Sequence, residues 1–234
     1  KSLYQERYFM PYMWAGVNGN HDNMTRGYIR NSNDFFRQAN YYPENGYLGE
    51  EGVCYHFRYG NVMFIMLNNE AMHTEKGLIE AQNWVQEVVT EAKNSENAPL
   101  YTVVCEHYQW FNGVNGKDSQ YSRWCKLFDR LGIDLALAGN NHIYVRTDAI
   151  FDGKNTDGTK GTVYLQTPSS DNERGQKMND EFSHNKQFIK YRWTEGPKTV
   201  GAMSMKVNNE KITITLLDRN GKVIDTAQVL AKKK

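Results

Sequence analysis

Between residues 62 and 138 the chain alternates short apolar runs with longer amphipathic stretches, and this alternation constrains its architecture more than any other feature. The runs at 61–68, 100–105 and 133–138 are nearly continuous in apolar residues, as expected of strands covered on both faces. Between the first two, 74–93 carries Leu78, Ile79, Ala81, Val85, Val88 and Val89 at helical spacing. Thr74 is placed to cap that helix, and 94–99 stops it. Between the last two, 118–131 sets Trp124, Leu127, Phe128 and Leu131 on one face, and Gly132 ends it. The order strand–helix–strand–helix–strand predicts a layered α/β sheet.

The flanks read less regularly. Residues 1–12 suggest a short helix entering a loop at Pro11, and 13–17 a buried strand. Residues 24–50 read as an ordered loop with one helical turn near 34–39. Residues 53–58 and 61–68 form a hairpin through Tyr59-Gly60-Asn61. Beyond the α/β core, 162–167 reads as a strand and 168–198 as polar loop. Then 200–207, 211–217 and 223–229 alternate as an antiparallel meander with turns at Asn208-Asn209-Glu210 and Arg219-Asn220-Gly221-Lys222. The last lysines, from Lys232, read as a solvated end. No internal repeat divides the chain, so residues 1–234 are expected to form one domain that 199–230 completes as the meander.

Composition then narrows the class of function. The 28 Lys and Arg nearly balance the 27 Asp and Glu, which argues against a nucleic-acid binder or an anionic-membrane binder. No apolar run is long enough to span a bilayer. Three cysteines, Cys54, Cys105 and Cys125, are too few for a disulfide scaffold and read first as small buried hydrophobes.

Chemistry gathers at three strand ends. The run 13–17 ends at Gly19-Asn20-His21-Asp22, 100–105 at Glu106-His107, and 133–138 at Gly139-Asn140-Asn141-His142. Ligands in open α/β sheets bind outside the carboxyl ends of strands. Imidazole and amide oxygen are both donors for divalent metals. Each cluster alone has an ordinary reading as a turn or a satisfied polar residue, but three in this order point to one site. His56, His73 and His184 lie off that pattern.

These residues resemble the calcineurin-like metallophosphoesterases, and within them the purple acid phosphatase-like members. Gly19-Asn20-His21-Asp22 matches the family's GNH(D/E) motif, and Tyr55 to Ile65 resembles its YSFDYGNVHFI hairpin. Gln82-Asn83-Trp84-Val85 resembles its Q-x-x-W-L helix, and Val103-Val104-Cys105-Glu106-His107 its VVxGH strand end. Gly139 to Thr147 resembles GHxHxYERT, and Asp218 to Asp225 the closing DGKVID hairpin.

The resemblance implies a four-layer αββα sandwich of the α/β class, missing its first strands. It also implies two divalent or trivalent ions (Fe, Mn or Zn) and hydrolysis of phosphate mono- or diesters by a metal-activated water. By the same resemblance Asn20, His107, Asn140 and His142 are metal ligands. His21 binds the phosphate and protonates the leaving group, and Asp22 orients His21. The implied partner is a phosphorylated small molecule, and the implied location extracytoplasmic.

Two departures qualify this. The family's Asp-x-His and Gly-Asp motifs precede GNHD, yet no Asp or His precedes His21. The expectation is that a large N-terminal piece, or another chain, supplies them. The first His of GHxH is Asn140, a weaker and harder donor than imidazole. A non-catalytic binding domain of the same fold, and a sugar- or surface-binding β-rich module suggested by the 15 tyrosines, are the competing readings.

Overall fold

A computed structural model of the protein describes residues 12–22, 33–111, 120–169 and 186–232. The expectations for 1–11, 23–32, 112–119 and 170–185, including His184, lie outside the described residues.

The first elements are α1 (Asp34–Ala39) and the hairpin β1 (Tyr55–Tyr59) and β2 (Val62–Met66). Tyr59 pairs with Val62 across a turn in which Gly60 takes φ 57°, a left-handed conformation that glycine adopts without a Cβ penalty. Helix α2 (Glu75–Asn94) follows, and the Thr74 hydroxyl accepts from the Gly77 amide at its N-terminus. Strand β3 (Tyr101–Cys105), helix α3 (Tyr121–Leu131) and strand β4 (Leu135–Ala138) complete the predicted alternation. Gly132 ends α3 at φ 62°.

Strands β2, β3 and β4 are parallel neighbours. Next to β4 lies β7 (Thr162–Gln166), also parallel, then β5 (Tyr144–Phe151) antiparallel, with β6 (Lys154–Asn155) and β8 (Ile189–Trp193) both paired to β5. A second sheet of three antiparallel strands holds β9 (Gly201–Val207), β10 (Lys211–Asp218) and β11 (Val223–Leu230), with β10 central.

Two apolar cores follow from the period-2 alternation of the strands. Met63, Ile65, Val104 and Ala136 face Trp84, Val85, Val89, Trp124 and Phe128 of the two long helices. Val62, Met66, Val103 and Leu135 face Ile212, Ile214, Leu216, Ala227 and Val229 of the small sheet. Helices, large sheet and small sheet are thus three consecutive layers, α, β and β, of a layered α/β fold.

Four local readings need correction. Residues 13–17 are not a buried strand: Met13 is 87% exposed. Tyrosine hydroxyls meet this backbone in place of a ladder, with the Gly16 amide donating to Tyr42 Oη at 2.7 Å and Tyr55 Oη donating to the Gly16 carbonyl at 2.8 Å. The segment read as loop at 168–198 contains β8, which β5 recruits despite its polar sequence. Ile79 stands outside the α2 stripe at 47% exposure, because the stripe is narrower than the apolar count suggested. Lys232 is no solvated end: its Nζ lies 3.0 Å from buried Asp134 and donates to the Ile133 carbonyl at 2.7 Å. A buried carboxylate is stable only with such a partner.

Candidate metal centre at the strand ends

The site is built around His107, the second residue past β3. The ladder between β2 and β3 ends with the Leu67 amide donating to the Cys105 carbonyl. Beyond it, Asn69 Oδ1 accepts from the backbone amides of both His107 (2.8 Å) and Tyr108 (2.7 Å). The β4 end joins from the other side, with the Gly139 amide donating to the His107 carbonyl at 3.0 Å.

Asn20 reaches the same point. Its Oδ1 lies 3.0 Å from His107 Nε2. Gly19 packs against the imidazole, and a Cβ there would stand 3.3 Å from His107 Cε1 and Nδ1. Gly139 packs near it too, its Cβ position 3.9 Å from Nδ1. The GNHD turn, the β3 end and the β4 end therefore converge on one ring. The turn is closed by two bonds, Gly19 amide to Asp22 Oδ2 (2.8 Å) and Asp22 amide to Gly19 carbonyl (3.0 Å). Thus Asp22 spends one carboxylate oxygen on shaping the loop that presents Asn20 and exposed His21.

Asn140 and His142 both sit in the left-handed region, at φ 66° and 57°. Asn140 Nδ2 donates to Gln109 Oε1 at 2.8 Å, which leaves its Oδ1 for another partner. His142 is close enough to bear electrostatically on His107. Burial pushes the His107 pKa down; His21 and His142 add to that, while Asp22 and Glu70 oppose it. The neutral imidazole this favours is the form that ligates a cation.

Sequence reading missed the residues next to the ring. Glu70 Oε2 lies 3.3 Å from His73 Nε2, and Tyr108 Oη donates to Glu70 Oε1. Beneath them Glu106 is buried, with Oε2 accepting from Asn69 Nδ2 at 2.9 Å and Oε1 without a partner. Burial pushes the Glu106 carboxyl well above its ordinary range, against the Asn69 bond and the Arg123 charge. The Asn68-Asn69 pair after β2 was the available signal, since amides directly after a buried strand must find partners. Trp110 and Phe111 are fully buried and serve packing.

Asn20 Oδ1 and His107 Nε2, 3.0 Å apart, stand at hydrogen-bond distance, and the donor set offers no charge to offset a pair of dications. Asn20, His107, Asn140 and His142 are all neutral donors. Among the described residues no group of three or more His, Cys, Asp or Glu is arranged to hold a metal.

No protein-family model matches the sequence. Two uncharacterized proteins of Mycobacterium tuberculosis, Rv2577 and MT2654, are each 27% identical over 179 residues, 69% of this chain and 33% of theirs. The chain thus spans about a third of the length of these relatives. Among solved structures, the purple acid phosphatase PPD1 of yellow lupin superposes with a TM-score of 0.66 at 14% identity, covering 92% of this chain and 40% of that one. GAP50, the anchor in the inner membrane complex of Plasmodium, superposes with a TM-score of 0.55 at 15% identity, covering 78% and 56%. Both share the fold.

Proposed function

We propose that the protein takes part in metal-dependent hydrolysis of phosphate mono- or diesters of small molecules, in an extracytoplasmic setting. The observation that carries this reading is the meeting of Asn20 Oδ1 and His107 Nε2 where the GNHD turn converges with the ends of β3 and β4. Asn20, His107 and His142, with Asn140 through its free oxygen, would hold metal. A bound cation there neutralises phosphate oxygens and lowers the pKa of bound water. His21, exposed on the rim, would hydrogen-bond the phosphate and carry a proton to the leaving oxygen, and Asp22 fixes the loop that presents it. Support comes from the family-like motifs and from the fold shared with the lupin phosphatase.

A second reading is a non-catalytic domain that binds a partner at the same cleft. It is favoured by the neutral donor set and by the fold shared with GAP50, itself an anchor.

Elemental analysis and a phosphatase screen at several pH values separate the two. The 234-residue chain is expected to hold fewer than two metal ions and to turn over poorly, because neutral donors leave two dications uncompensated. Joined to a segment carrying the Asp-x-His and Gly-Asp motifs, it is expected to be active, and His21→Ala should then lower kcat by about 10²–10⁴-fold. Inactivity of the joined, metal-loaded protein would favour the binding domain.

A further inference from the structure

We infer that the tandem Asn68-Asn69 is the positioning element of this site, one side chain setting the GNHD loop and the other the β3 end. The two amides follow β2 and are buried, 1% and 2% exposed. Their bonds run to opposite halves of the centre. Asn68 Oδ1 accepts from Asn18 Nδ2 at 2.8 Å, and Asn18, itself fully buried, leads directly into Gly19 and Asn20. Asn68 Nδ2 is held in turn by Glu50 Oε2 at 2.9 Å. Asn69 Oδ1 replaces the missing ladder partner for His107 and Tyr108, and its Nδ2 is held by Glu106 Oε2.

Each Asn is therefore locked by a carboxyl group on one side and locks a site segment on the other. Burying Asn18, Asn68, Asn69 and Glu106 here costs stability that an apolar core would not lose. What the arrangement secures is relative placement. Asn20 and His107 are 87 positions apart in sequence, yet their side chains meet at 3.0 Å through anchors one residue apart. A shift of about 1 Å in such a pair is enough to impair a site.

The inference rests on the candidate site but not on the proposed hydrolysis, and its test reads geometry rather than turnover. Asn20 Oδ1 can only accept, so His107 Nε2–H donates to it, and this bond marks the His107 imidazole nitrogen resonance in the full chain labelled at histidine. Asn68→Ala and Asn69→Ala should each move that resonance out of its hydrogen-bonded position while the His56 resonance, on β1, stays. An unchanged His107 resonance in either folded variant overturns the inference. If either single change prevents folding, the paired exchange Asn69→Asp with Glu106→Gln keeps one amide and one carboxylate across the same contact. It should restore the wild-type His107 resonance. A folded paired exchange with a displaced resonance also overturns the inference.

Discussion

Asn140 combines two demands on one side chain. Its backbone sits at φ 66°, and its amide nitrogen is bonded to Gln109. Asn140→Ala should therefore cost about 1–2 kcal/mol for the left-handed conformation, whereas Asn140→Gly should cost less, both read from urea unfolding. Histidine is tolerated in this region, as asparagine is. Asn140→His should consequently fold and tighten Zn²⁺ by at least about 10-fold, since even indirect changes around a metal have that effect. A zinc titration measures this. Unchanged affinity with an intact circular dichroism spectrum would leave Asn140 as a turn residue alone.

At the scale of the element, α2 sets propensity against packing. Gly77 lies in its first turn, where replacing glycine by alanine in an open helix would add about 1 kcal/mol. Here a Cβ would stand 1.9 Å from the Ala71 carbonyl oxygen. Gly77→Ala is thus expected to destabilise the protein, and a raised urea midpoint would refute this. Thr74→Ala, which removes the hydroxyl bonded to the Gly77 amide at 3.1 Å, should cost about 1 kcal/mol. The elements legible in sequence were those with an apolar period or run, namely β1, β2, α2, β3, α3, β4, β7 and the three meander strands. Strands β5 and β8 were not, because β8 is Ile-Lys-Tyr-Arg-Trp and owes its conformation to pairing with β5. In the opposite direction, 13–17 has a strand's composition but takes its backbone bonds from Tyr42 and Tyr55.

Across the whole molecule, the two sheets are joined by a polar clasp. Asp225 of β11 accepts from Arg146 Nε (2.7 Å), Arg146 Nη2 (3.0 Å) and Tyr144 Oη (2.9 Å) of β5. Burial would raise the Asp225 pKa, but the bonds from Arg146 and Tyr144 outweigh it and hold the carboxyl below its ordinary value. A carboxylate depressed in the folded state contributes stability that is present above its unfolded pKa and is lost as pH falls below about 4. Asp225→Asn should therefore lower stability near neutral pH by about 2–3 kcal/mol and flatten the acid limb of the stability curve, measured by urea unfolding from pH 7 to pH 3. An unchanged acid limb would remove Asp225 from the account. At the β1–β2 edge of the large sheet a groove of about 1060 Å³ is lined in part by Trp14, Tyr42, Tyr55, Phe57, Phe64 and Met66.

Sequence alone determined the layered α/β class, the order of strands and helices from β1 to β4, the meander, and the polar ends of β3 and β4. These are local matters of periodicity and turn chemistry, set by residues within a few positions of one another. Only the tertiary structure decided that Asn20 meets His107, that Asn68 and Asn69 brace the two, that Asp22 closes its own loop, and that Lys232 neutralises Asp134. Those bonds join residues up to 98 positions apart, except for that of Asp22. Hydrogen-bond partners across such separations depend on which strands become neighbours. That is settled when the two apolar cores close, and no local pattern of residues encodes it.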